Sequence, residues 1–173
     1  MAFPVQDQPL AVALANTEAV SRRKRVDLLA APADLAAWLE LHGLTQGVEV
    51  APLRGLRDAV RAVLGAVVEG RDPPPAALGA INRVSAAAPV YPQLGWPPQI
   101  RTETLAADTT TATLAAVARS AVELLGGPDR ERLRSCAAPG CILFFLAPTS
   151  RRRWCSPACG TRVRVARHAG RAT

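Results

Sequence analysis

The sequence predicts an α+β fold that is mainly α. A helical N-terminal domain with one small β-hairpin occupies residues 1–128, and a compact C-terminal module occupies 129–173. Three observations carry this reading. Apolar residues recur at helical spacing through four stretches of the first part. One proline-broken, β-favouring stretch interrupts them. All four cysteines fall in the last quarter of the chain. At 173 residues the chain can build one good core, or a core and a satellite.

The elements follow in order. Residues 1–9 are polar and proline-bearing, so irregular chain is expected there. Over 10–16 the apolar residues are continuous, which marks a buried element and leaves helix and strand both open. Ser21-Arg22-Arg23-Lys24-Arg25 is expected to be a solvated connection, with an anion-binding loop as the alternative. Pro32 and Asp34 suit the first turn of a helix whose Leu35, Trp38, Leu39 and His42 share a face, and Gly43 stops it. Trp38 is expected as a core anchor. His42 has no acid, nucleophile or second histidine near it, so no catalytic part is expected of it. Residues 51–69 give the clearest helix, with Leu53, Leu56, Val60, Val63, Leu64 and Val67 on one face. Arg54, Arg57 and Arg61 follow the other face beside Asp58, as a solvated charged surface would. Gly70 and the Asp72-Pro-Pro-Pro75 connector lead into a helix at 76–87, with Leu78, Ile81 and Val84 inward. Residues 90–105 fit a β-hairpin that keeps Pro92 at an edge. An amphipathic helix over 110–125 ends at Gly126-Gly127-Pro128, the expected domain boundary.

The cysteines carry the chemistry. Cys136 and Cys141 form C-x4-C, and Cys155 and Cys159 form C-x3-C, with thirteen residues between the pairs. Two close pairs of thiolates can close a tetrahedral shell around one zinc ion. Pro139-Gly140 turns the first pair, and one helical turn would put the second pair on one face. Between them, 142–146 is expected as a short strand, 148–150 as a turn and 151–154 as a return strand. Knuckle, hairpin and ligand-bearing helix make a treble-clef-like zinc finger. Disulfides or unpaired thiols are the alternatives. The N-terminus shows no basic region and no signal core, so a cytoplasmic, reduced chain is expected, which favours one structural Zn2+.

Charge is polarised. The net +7 of the chain resides in residues 129–173, where ten arginines face only Asp129 and Glu131. The preceding 128 residues carry eleven basic and twelve acidic side chains. Such polarisation is expected of a body with a nucleic-acid-facing appendage. Hydrophobic content of 49% and charged content of 20% describe a globular protein, and no apolar run approaches a membrane span. The preference for arginine, with one lysine in the chain, suits phosphate forks.

Arg152-Arg-Trp-Cys-Ser-Pro-Ala-Cys-Gly-Thr-Arg162, with the preceding C-x4-C, resembles the CGNR zinc-finger family. The naming residues here are Cys159-Gly160-Thr161-Arg162, so threonine replaces the family's asparagine. Upstream, Leu10-Ala-Val-Ala-Leu-Ala-Asn16-Thr17, the stretch from Asp27 through Trp38-Leu39, and Leu53-Arg-Gly-Leu-Arg-Asp-Ala-Val60 resemble the ABATE domain that precedes this finger. The resemblance implies a role in transcription regulation.

Together these readings predict a zinc-dependent nucleic-acid-binding transcription regulator with DNA as partner. Cys136, Cys141, Cys155 and Cys159 are the expected metal ligands. Arg151, Arg152, Arg153, Arg162, Arg164, Arg167, His168 and Arg171 are the expected nucleic-acid contacts, with Arg164, Arg167, His168 and Arg171 in one helical stripe. One small finger binds weakly, so a homodimer through the N-terminal domain is expected, and that domain would also take a small-molecule effector. No membrane partner is expected. The alternative is a zinc-finger module for protein interaction or RNA binding. An enzyme is not expected, because four cysteines fill the zinc shell and no nucleophile–base pair, P-loop or dinucleotide fingerprint occurs.

Overall fold

The computed structural model describes residues 3–5 and 7–169, with backbone alone at 167–169. The order is α1 (Leu10–Ala15), β1 (Glu18–Ser21), β2 (Lys24–Asp27), α2 (Pro32–Leu41), α3 (Val50–Val68), α4 (Pro75–Ala86), β3 (Val90–Gly95), β4 (Gln99–Thr104) and α5 (Thr109–Gly126). A 3-10 turn (Pro128–Arg132) then leads to β5 (Leu133–Ser135), β6 (Phe144–Leu146) and α6 (Pro157–Ala169). The strands make three two-stranded antiparallel hairpins, β1–β2, β3–β4 and β5–β6. The mainly α, α+β expectation holds.

The continuous apolar run at the start is a helix. All of α1 but Leu10 is buried, and it packs against α3 and α5. Pro32 begins α2 with Asp34 in its first turn, and Gly43 takes the left-handed φ of 63° that ends it. Trp38 is fully buried, its ring 4.8 Å from that of His42. α3 buries Leu53, Leu56, Val60, Val63 and Leu64. Each such side chain stabilises the fold by about 1.5–3 kcal/mol relative to exposure. Asp108 caps α5 by accepting from the Thr111 N–H at 2.7 Å.

The arginine face of α3 is not solvated. Arg57 is 6% exposed and bonds both Asp27 carboxylate oxygens, at 2.7 and 3.3 Å, and Thr17 Oγ1. Arg54 meets the same carboxylate at 2.7 Å. Arg61 lies 3.0 Å from the Glu18 carboxylate. Asp58, the expected partner, is mostly exposed and reaches only Arg57 at 3.7 Å. The hairpin β1–β2 lies over this face and brings its acids with it, a long-range placement that helical spacing alone does not announce. Residues 21–25 are exposed throughout, as a solvated connection would be. They form the tip of that hairpin, with Ser21 opposite Lys24 and Arg22-Arg23 as its two-residue loop.

The C-terminal hairpin also differs from expectation. The strand at 142–146 shortens to β6 and pairs with β5, upstream of the first cysteine. Residues 152–154 form no strand. Three consecutive arginines offer nothing to bury, whereas Leu133 and Phe144 both enter the helical core. Strand alternation then makes β6 a wall between two cores: Phe144 faces the helices, and Phe145, fully buried, faces the cysteine module with Leu143, Cys155, Cys159 and Val163.

Hairpin β3–β4 stands away from the core, exposed along its length except at Gly95, with Leu94, Trp96 and Ile100 each at least 80% exposed. Among the described residues no helix is long and apolar enough to cross a membrane.

Candidate metal centre

The four cysteines converge. Cys136 follows β5, and Cys141 closes a turn in which its N–H donates to the Ala138 carbonyl at 3.0 Å, with Gly140 at a φ of 70°. Cys155 precedes α6, and Cys159 lies in its first turn. The two are therefore not both helical, as the C-x3-C spacing led one to expect; Pro157 starts the helix between them. Ser156 sits at the helix N-terminus and its hydroxyl accepts from the Cys159 N–H at 3.3 Å.

All four Sγ atoms lie within 4.8 Å of one another, and none is in a disulfide. Three of the separations are 3.6, 3.9 and 3.9 Å. A tetrahedron with metal–sulfur bonds of about 2.3 Å has edges of about 3.8 Å. The donor set and its geometry therefore fit one structural zinc, held by Cys136, Cys141, Cys155 and Cys159. The ion's chemistry there is to accept four thiolates and tie the knuckle to the helix.

The protein prepares these sulfurs. The Cys155 N–H donates to Cys136 Sγ at 3.4 Å, and the Arg162 guanidinium to Cys159 Sγ at 3.3 Å. Cys159 also feels the positive end of α6. As bare thiols Cys136, Cys141 and Cys155 oppose one another's ionisation. The hydrogen bond from the Cys155 thiol draws Cys141 down to about 5, the same bond pushes Cys155 up, and burial pushes Cys136 up. A divalent cation removes that conflict.

Gly160 has a steric reason. A Cβ there would sit 3.3 Å from the Trp154 ring, which closes over the helix start. Thr161, in place of the family's asparagine, accepts a hydrogen bond from Arg164 at 3.0 Å.

Among the described residues, three of the expected nucleic-acid contacts line two different clefts. Arg152 and Arg164 line a cleft of 480 Å³ beside Trp154 and Ser156. Arg152 also braces the module, bonding the carbonyls of Trp154 and Cys155 and lying 5.2 Å over the Phe145 ring. Arg151 and Arg153 are exposed on the segment before Trp154. Arg162 faces a different cleft, beside the β1–β2 hairpin. The side chains of Arg167 and His168, and the whole of Arg171, lie outside the described residues.

Two residues that hold the module were missed in the sequence. Asn16, 1% exposed, uses its side-chain amide as a strand would: Nδ2 donates to the Phe144 carbonyl and Oδ1 accepts from the Phe144 N–H, both at 2.9 Å. Arg61 donates to the carbonyls of Ala15, at 2.5 Å, and Ile142, at 3.2 Å, and lies 5.5 Å over the Phe144 ring. A polar residue closing a continuous apolar run was the one available signal for Asn16.

A four-thiolate zinc shell welded by a shared hairpin to a helical body defines a structural zinc-finger protein. The chain belongs to the ABATE family, whose model, described as "Putative stress-induced transcription regulator", matches residues 8–128; the model for the CGNR zinc finger matches residues 132–172. No curated protein matches the chain significantly.

Proposed function

We propose that the protein is a zinc-dependent, nucleic-acid-binding transcription regulator whose finger grips duplex DNA. The observation that supports it is the unneutralised charge of the finger. Among the described residues no acid pairs with Arg151, Arg152, Arg153 or Arg164, while the arginines of α3 are matched to Asp27 and Glu18. Unpaired arginines around a rigid zinc-held helix start suit phosphate contact. The role is binding rather than catalysis, since four thiolates leave zinc no position for water.

A second copy of the chain joins this reading. The face of β3–β4 that carries Leu94 opposite Ile100, with Trp96 at the turn, is an apolar surface a partner protomer would cover.

The test is binding of the zinc-loaded protein to a short random duplex across a salt series. With about five phosphates engaged, log affinity against log salt should fall with a slope of roughly −4 to −5. Arg164→Ala should weaken all sequences alike and reduce the slope by about one. Two chains should bind per duplex. No duplex retained at about 50 mM salt would remove the DNA reading. RNA and protein baits would then decide the alternative.

A further inference from the structure

A second basic cleft lies where the helical body meets the zinc knuckle. Its volume is 630 Å³, within the range of about 300–1,000 Å³ that small-molecule sites occupy. Arg22, Arg23 and Arg25 of the β1–β2 hairpin line it together with Arg162 of α6 and with Pro139 and Gly140 of the knuckle. No acidic side chain lines it. Arg25 is held by Glu18 at 2.8 Å, whereas Arg22 and Arg23 have no acidic partner among the described residues. Val20 and Ile142 supply apolar wall.

The hairpin tip strengthens the case. A two-residue hairpin loop with both φ positive is the turn that favours Asn-Gly. Here Arg22 and Arg23 occupy it at φ of 49° and 67°, against that local preference. Two guanidinia thus sit where smaller residues would fit the backbone better, and both line the cleft.

We propose that this cleft binds a small phosphate-bearing ligand of the nucleotide class. The arginine forks would take the phosphates, and Val20, Ile142 and Pro139 would cover part of its organic body. Because one wall belongs to the body and the other to the knuckle, the ligand fastens the two together. The inference does not depend on duplex binding, and either can fail without the other.

The test uses the intact, zinc-loaded chain with inorganic pyrophosphate and ADP as probes, read by calorimetry and by thermal shift. ADP should bind one per chain and raise the Tm, with pyrophosphate weaker. Arg22→Asn combined with Arg23→Gly suits the turn, so the unliganded variant should unfold no earlier than the parent, yet lose ADP affinity at least about tenfold, the loss of roughly one charged hydrogen bond. Arg164→Ala, in the other cleft, should keep it. Absence of saturable binding by both probes overturns the proposal, as does a double variant that binds ADP like the parent. A double variant that weakens duplex affinity in a protein taking neither probe assigns the tip to nucleic acid, and the proposal falls.

Discussion

Replacing Asn16 by alanine tests how the finger is joined to the helical body. The ladder bonds of β5–β6 run through Cys136 N–H to Leu143 O and Ala147 N–H to Arg132 O, so the alternate residue Phe144 turns its own N–H and C=O away from β5. Asn16 satisfies both at 2.9 Å. In the alanine variant two buried backbone groups lose their partners, at a cost of about 1–3 kcal/mol each, and a water in the small void recovers part. The expected loss is about 3 kcal/mol. At about 2–4 °C per kcal/mol for a chain of this size, the Tm should drop by about 6–12 °C. Asn16→Asp should lose a similar amount, because a carboxylate accepts from the N–H but opposes the carbonyl. Thermal and urea unfolding of the zinc-loaded protein, followed by far-UV circular dichroism, gives the numbers. An alanine variant within about 0.5 kcal/mol of the parent, the range of a neutral surface change, would refute the reasoning, as would an aspartate variant as stable as the parent.

Elemental analysis should give one zinc per chain, and Cys141→Ser should weaken its retention, while a stoichiometry far from one would remove the shell described above. Chelation should disorder the knuckle and the start of α6, leave most helical signal, and lower the Tm of what remains, because Leu133 and Phe144 belong to the helical core. Burial works to raise the Asp27 pKa but is outweighed by the Arg57 hydrogen bond, the Leu29 N–H and the charges of Arg57 and Arg54, so its folded value is lowered. Its contribution is therefore present above the unfolded value of about 3.9 and lost as pH falls below it. Asp27→Asn should cost about 2–3 kcal/mol near neutral pH, somewhat below the figure for a fully buried pair because Asp27 keeps 28% exposure, and should flatten the acid limb of a stability–pH profile; an unchanged limb would count against it.

Local pattern carried far in this chain, and long-range pairing did not. The 3-4 spacing of Leu53, Val60 and Leu64 and the stop at Gly70 placed α3 within a residue or two. Paired cysteine spacing found the metal ligands because a tetrahedral shell constrains chain length as well as residue type. What failed depended on partners distant in sequence. Arg57 looks solvated until Asp27, thirty residues away, folds over it. Residues 151–154 follow a turn as a return strand should, but an upstream segment with an apolar residue to bury displaced them. Asn16 and Phe144 are 128 residues apart, and nothing local in either announces the other.

Helix geometry separates the two basic clefts more firmly than the charge run of the finger implies. Arg162 and Arg164 are two positions apart on α6, about 200° around its axis, and accordingly face different clefts. The cleft at Arg164 is bounded by finger residues alone. The one at Arg162 exists only where the β1–β2 hairpin meets the knuckle. On the proposals above, a duplex at the first would sense the finger, whereas a ligand in the second would sense how the finger is held. Ligand binding in the second would alter duplex affinity through that holding and through the arginine charge it neutralises. Besides the burial of Leu133 and Phe144, the polar holding contacts include Asn16 on the Phe144 backbone, Gln8 on the Leu146 N–H, Arg61 on the Ile142 carbonyl, and Glu18, which Arg61 shares with Arg25 of the cleft. A phosphate that draws Arg25 away from Glu18 leaves that carboxylate wholly to Arg61, and Arg61 is the side chain that grips the knuckle. A ligand in the second cleft would thus have a physical route, through one shared acid, to the side chain that holds the Ile142 carbonyl.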